Sequence, residues 1–203
     1  MKVDRKDVNV YDLRSAIELL KNDKNELVYT NTEVDPHGEI AGIYIHVGAG
    51  GTVKRPTKIG PAMIFNNVKG HKDAKVIIGL LASRDRVGML LDCEPKKLGF
   101  LLNEAVKNPI NPIIIENENA PCQEVVHYAT DEGFDIRKIL PAPTNTEEDA
   151  GPYITLGMCY ARDPETGEGD VTIHRLCLQG KDELSMFFTP GVRHLDAFRK
   201  KAE

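Results

Sequence analysis

The residues best equipped for chemistry lie close together in Gly169-Asp170-Val171-Thr172-Ile173-His174-Arg175-Leu176-Cys177-Leu178. The run holds a carboxylate, a hydroxyl, an imidazole, a guanidinium and a thiol inside an apolar, β-prone stretch. A guanidinium offers a planar fork of donors that matches a carboxylate or a phosphate. A carboxylate is a hard oxygen ligand for a divalent cation. The run reads as the second arm of a hairpin whose first arm is Tyr153 to Tyr160. The connection Arg162-Asp163-Pro164-Glu165-Thr166-Gly167 is dense in turn formers.

The apolar phase of the run shifts along its length. Val171 and Ile173 are odd, Leu176 and Leu178 even, and a strand of period two cannot bury both pairs on one side. An extra residue near His174-Arg175 repairs the phase and gathers Asp170, Thr172, Arg175 and Cys177 on one face. Spacing alone leaves two readings open: an edge strand whose Arg and His face water, or a polar site carried on a strand.

The elements that must hold this hairpin fall into two groups. Asp12 caps a first helix with Leu13, Ala16, Ile17 and Leu20 at helical spacing, and a short strand follows around Glu26–Thr30. Asp35-Pro36 starts a second helix with Ile40, Ile43, Tyr44 and Val47 on its buried face, ending at Gly48. Gly48-Ala49-Gly50-Gly51-Thr52 invites a phosphate-loop reading. It lacks G-x-x-x-x-G-K-[ST], and Val53 stands where G-x-G-x-x-G needs glycine, so a helix stop and flexible loop is favoured. Lys54, Arg55 and Lys58 nearby are a weak anion signal.

Pro61–Phe65 and Lys75–Leu80 read as strands. Ser83 caps a helix bearing Val87, Leu90 and Leu91. Pro95 opens another with Leu98, Leu101, Leu102 and Ala105 inward, and Ile113-Ile114-Ile115 is a short strand. This alternation predicts an α/β domain over residues 1–116. Residues 117–203 change character: prolines at 121, 141, 143 and 152 precede the hairpin and a further strand at Leu184–Phe188, which read as antiparallel β. The whole is α+β, with a boundary near residues 116–120 and a last helix starting at Leu195.

Composition excludes several classes. Hydrophobic residues make up 41% and charged residues 28% of 203, ordinary for a globular protein. A net charge of −5 with scattered Lys and Arg argues against nucleic acid. Cys93, Cys122, Cys159 and Cys177 form no C-x-x-C, so neither a zinc knuckle nor a disulfide framework is indicated. The charged start Met1–Asp7 has no signal-peptide core, and no apolar run approaches membrane-spanning length. The expectation is a cytoplasmic protein with reduced thiols and no membrane partner.

Several stretches together resemble the UbiD-type decarboxylases that use prenylated FMN, specifically their hydroxyarylic-acid (gallate, protocatechuate, vanillate, 4-hydroxybenzoate) branch. They are Gly48–Thr57 (GAGGTVKRPT), Gly60–Gly70 (GPAMIFNNVKG), Asp149–Thr155 (DAGPYIT), Asp170–Arg175 (DVTIHR) and Pro190–His194 (PGVRH), in the family's order through nearly the whole chain. The resemblance implies an N-terminal domain followed by the first half of a split-barrel flavin domain, and a lyase that reversibly decarboxylates a small aromatic acid.

Residue by residue, the resemblance assigns Arg175 to holding the substrate carboxylate. Asp170 and His194 become ligands of a divalent metal, Mn or Mg, with potassium as a further cation. Thr155, Thr172, Ile173 and Arg193 become residues lining the flavin. Taken alone, Asp170 is equally a turn residue after Gly169 and His194 a surface histidine at a helix start. The resemblance also implies a flavin prenyltransferase as cofactor supplier, and a homo-oligomer or a complex with a partner supplying the missing half. The family's third metal ligand, a Glu, and its two proton-relaying carboxylates have no counterpart in these residues. The chain is therefore expected to be a decarboxylase component, or else a non-catalytic flavin- and metal-binding or assembly subunit. A flavin-reductase-like module is a third reading, but no nicotinamide signature accompanies it.

Overall fold

The structure is a computed structural model that describes residues 8–48, 59–191 and 194–203. The chain forms two compact units. One comprises residues 1–34, 42–68 and 72–127; the other comprises 35–41, 69–71 and 128–203.

The first unit begins with helix α1 (Leu13–Leu20). The Asp12 side chain accepts from the Ser15 backbone N–H at 2.7 Å, and the Ser15 hydroxyl accepts from the Asp12 N–H at 3.0 Å, closing a capping box. Ala16, Leu19 and Leu20 bury the inner stripe of α1 against Leu27, Ala62, Ile64 and Leu90. Strands β1 (Leu27–Thr30), β2 (Ala62–Phe65) and β3 (Val76–Ile78) form a mixed sheet. β2 lies in the middle, parallel to β1 (Leu27↔Ala62) and antiparallel to β3 (Met63↔Ile78). All four residues of β2 are buried, as a central strand covered on both faces requires.

Helix α2 (Glu39–Val47) starts later than Asp35-Pro36 suggests. Gly38 sits at φ 80°, a left-handed conformation that interrupts any helix entering from Pro36, and Asp35 accepts from the His37 N–H as a turn residue. Of its expected buried face, Ile40 is fully buried while Val47 is 36% exposed.

Helix α3 (Arg84–Leu90) is capped by Ser83 as its sequence predicts, the hydroxyl accepting from the Arg86 N–H at 3.2 Å. Arg86 itself is 1% exposed. Its Nε donates to Glu26 at 2.9 Å, and its two terminal nitrogens donate to the carbonyls of Gly79 (2.8 Å) and Gly60 (2.7 Å). A buried guanidinium survives only with its donors used in this way.

Helix α4 (Leu98–Lys107) departs from expectation. Leu98 is buried, but Phe100, Leu101, Leu102 and Ala105 are exposed, so its apolar stripe has no cover among the described residues. The strand expected at Ile113–Ile115 is not formed: residues 109–116 have no regular secondary structure, and Ile113 and Ile114 are about nine-tenths exposed.

The second unit contains the short helix α5 (Ile136–Ile139), the strands β4 (Tyr153–Arg162), β5 (Gly169–Leu178) and β6 (Leu184–Met186), and helix α6 (His194–Ala202). The strands form an antiparallel sheet in the order β4-β5-β6. The β4–β5 turn is built by Asp163, whose carboxylate accepts from the N–H groups of Glu165 (2.9 Å) and Thr166 (3.4 Å). Among the described residues, no helix is long and apolar enough to cross a membrane.

Candidate functional site

The hairpin carries an irregularity, but on β4 and not on β5. Ile154 pairs with Leu176 and Gly157 with His174, so Thr155 and Leu156 together oppose Arg175. Close approach is the reason for glycine at this point. A Cβ on Gly157 would come within 2.7 Å of Leu176 Cδ1 and 3.0 Å of the His174 carbonyl oxygen.

Because the extra residue belongs to β4, β5 alternates without a break. Val171, Ile173 and Arg175 are exposed; Asp170, Thr172 and His174 lie on the more buried face. This corrects the expectation of one face shared by Asp170, Thr172, Arg175 and Cys177. Arg175 and Cys177 share a face with Ile173, and Asp170 and Thr172 point the other way. The apolar phase shift has a different cause: both faces of β5 are apolar, and the odd one is open from Val171 to Arg175 and closed at Cys177. Leu156, Met158 and Tyr160 of β4 join Val171 and Ile173 on that open face, all between 50% and 78% exposed. The guanidinium of Arg175 thus stands on an apolar sheet surface, with Thr155 and Ile173 beside it.

Helix α6 lies over the other face. Its first turn is fixed by Asp196, 2% exposed, which accepts from the Gly191 N–H (3.1 Å) and pairs with Lys200 (2.7 Å) and Arg199 (3.3 Å). These donors, Lys200 foremost, hold the Asp196 carboxyl down at about 2. Its last turn is fixed by Lys201, which bridges Asp163 (2.7 Å) and Glu165 (2.9 Å) of the hairpin turn. An open groove of about 370 Å³ runs between helix and sheet, lined by Cys159, Met186, Phe188, Leu195 and Phe198 among others.

Anchored at both ends, α6 sets His194 beside Asp170, with Nδ1 3.0 Å from Oδ2. The second oxygen of Asp170 accepts from the Val171 N–H at 2.9 Å. Two residues 24 positions apart in sequence are thereby joined as a carboxylate–imidazole pair. Among the described residues no third His, Cys, Asp or Glu completes a metal-holding group. The pair can supply two donors of the six that Mg or Mn takes.

Two buried polar atoms on the same face have no hydrogen-bond partner among the described residues: Thr172 Oγ1 and His174 Nε2. His174 is 7% exposed and its ring stands 6.0 Å from that of Phe188. Unsatisfied buried groups are rare, so both point to an interaction made with something further. On the opposite face Tyr153 pairs in register with Cys177, whose thiol also accepts from Gln179 Nε2 at 3.1 Å. The hydrogen bond to Cys177 pushes the Tyr153 phenol up from its usual value. Strand alternation was the signal that could have marked His174 and Tyr153 as neighbours of the site. Arg193 and the glycine-rich, basic stretch at 49–58 lie outside the described residues.

Comparison with known proteins gives the context for this geometry. Residues 17–106 match the N-terminal domain, and residues 113–203 the Rift-related domain, of the 3-octaprenyl-4-hydroxybenzoate carboxy-lyase (UbiD) family. Gallate decarboxylase of Lactiplantibacillus plantarum is 50% identical over 193 residues, which is 95% of this chain and 39% of the relative. The apo crystal structure of Klebsiella pneumoniae 3,4-dihydroxybenzoic acid decarboxylase superposes with a TM-score of 0.87 at 52% identity, over 95% of this chain and 40% of that one. The UbiD-class enzyme HmfF from Pelotomaculum thermopropionicum, in complex with prenylated FMN (prFMN), superposes at 0.81 with 33% identity, over 94% and 41%. The chain spans about two fifths of the length of the relatives it matches. It belongs to the UbiD family, of which it carries the N-terminal domain and a Rift-related domain.

Proposed function

We propose that this chain is the carboxylate-holding and metal-holding part of a non-oxidative, reversible hydroxyarylic acid decarboxylase that uses prenylated FMN and a divalent cation. The observation that carries the reading is the contact between His194 and Asp170, two residues with no local reason to meet. The family's relatives are carboxy-lyases acting on gallate and dihydroxybenzoate, and one neighbour binds prFMN.

The residues fit the implied groups in kind. A flat, largely apolar ring system would suit the open strand face bearing Thr155, Ile173 and Met158 beside Arg175, whereas Thr172 and the Asp170–His194 pair lie on the other face of the sheet. Asp170 and His194 would hold Mn or Mg, with potassium as a further cation, and Arg193 would line the flavin. When bound, the flavin supplies an electron sink for the carbon that loses CO2. Arg175 binds the carboxylate through its planar fork and turns the aromatic ring toward the flavin face. Once the completed enzyme covers that open face, the apolar residues around Arg175 would exclude water and strengthen that ion pair.

The proton that replaces CO2 needs a positioned acid. Glu183, an acid near the end of β5, accepts from the Gln179 N–H through its backbone carbonyl and belongs to the β5–β6 turn. As the family resemblance implies, the acid would come from the part of the relatives' polypeptide that this chain does not match. The functional assembly is this chain completed by that polypeptide, as one chain or as a partner, or a homo-oligomer of the completed unit. A flavin prenyltransferase supplies its cofactor. Residues 1–116 form the α/β domain and 117–203 the flavin-domain segment of this reading, and the four free thiols suit a reducing cytoplasm.

A second reading, a flavin- and metal-binding assembly subunit without turnover, is favoured by the two-donor metal set. The test is Arg175→Ala and Arg175→Lys in the completed enzyme. Ala is expected to remove at least a hundredfold of kcat/KM, with Lys a poor rescue because an ammonium cannot copy the fork. Unchanged turnover in Arg175→Ala would remove Arg175 from the site.

A further inference from the structure

Residues 109–116 (PINPIIIE) combine three features that conflict in a finished protein. Ile113-Ile114-Ile115 has strong β propensity, yet the segment has no regular secondary structure. Ile110, Ile113 and Ile114 are 94%, 89% and 93% exposed. Among the described residues, the N–H groups of 113–116 donate to no backbone carbonyl. An apolar run with free backbone groups is the signature of a strand awaiting an edge to pair with.

We propose that residues 110–116 are a strand donated to a β-sheet of the complementary polypeptide, the larger part of the relatives' length that this chain does not span. Two observations select that occupant. The family's Rift-related domain begins its match at residue 113, so the segment opens that domain, and about three fifths of the relatives' length lies outside the match. Its charges are also of one sign: Glu116, Glu118 and Glu124 occur between residues 109 and 126 with no Lys or Arg. The receiving edge is apolar with a basic rim. Main-chain hydrogen bonds supply affinity, and alternate isoleucines fill its pockets. The inference rests on the reading of this chain as part of a larger decarboxylase.

The probe is the part of L. plantarum gallate decarboxylase outside the matched region, produced separately and mixed with the 203-residue chain. Hydrogen exchange of the peptide spanning 110–116 is expected to slow at least tenfold on mixing. Ile113→Asp with Ile114→Asp is expected to weaken association at least tenfold, and more so at high salt. Those side chains touch little, so the variant's own melting curve stays that of the parent. Four results overturn the proposal: no association, association without slowed exchange at 110–116, slow exchange already present in the free chain, or slowing by the chain alone as its concentration rises. CO2 release from the same mixture keeps the two readings apart. Slowed exchange without decarboxylation leaves the strand proposal standing and strikes the function.

Discussion

The two sheets of this protein are both three-stranded, one mixed and one antiparallel, and they are finished differently. β2 is buried at every position between α1 and its neighbouring strands, so the β1–β2–β3 sheet has no open face at its centre. The β4–β5–β6 sheet is covered on one face by α6, whereas the face carrying Ile173 and Arg175 is apolar and open. A closed apolar face serves stability, and an open one with a guanidinium on it serves a ligand or a partner. The difference teaches that apolar patterning reports that a surface will be covered, without saying by what.

Mutations that ignore function sharpen the contrast. The largest effect is expected at Arg86. Arg86→Ala strands the Glu26 carboxylate and two carbonyls that the guanidinium now satisfies, and should cost about 3–5 kcal/mol in denaturant titration. Leu20→Ala, in the closed core at 0% exposure, should cost about 2–5 kcal/mol.

Acid titration gives an intermediate effect, largest at Asp196 in the second unit. The folded carboxyl of Asp196 sits at about 2 against an ordinary 3.8. A depressed folded value means that its contribution is complete above about pH 4 and fades as pH falls through about 2. Asp196→Asn should therefore lower the melting temperature at neutral pH and flatten its fall between those limits. Part of the slope should remain, because Asp135, also held at about 2 by Arg137, titrates in the same window.

Met158→Ser on the open face should change stability by no more than about 0.5 kcal/mol, since the side chain is 78% exposed. A loss above about 2 kcal/mol there would break the comparison by showing that the face is packed in the free chain.

Much of this was legible from residue types. Asp12 and Ser83 cap the helices they were expected to cap, and Asp163 and Gly167 mark the hairpin turn, because local hydrogen-bonding chemistry needs no knowledge of the rest of the fold. The start of α2 was hidden by Gly38, whose left-handed φ only the folded turn reveals. The apolar phase of β5 alone points to a bulge on β5, whereas it lies on β4, because register belongs to a pair of strands. The outward α4 stripe reads as an inward face and the triple isoleucine as a strand because periodicity and propensity count apolar residues, and these lack cover among the described residues. The proximity of Asp170 and His194 depends on the anchoring of α6 at Asp196 and Lys201, and spacing cannot supply that.

The central claim is that this chain holds the carboxylate and the metal but not the proton donor. Its most direct test is CO2 release from a hydroxybenzoate, with prenylated FMN and Mn supplied, by the 203-residue chain alone and by the same chain completed with the rest of the family's polypeptide. The account expects no multiple turnover from the isolated chain and clear turnover from the completed one. Sustained turnover by the isolated 203 residues would contradict it, because the catalytic acid would then have to lie within this chain.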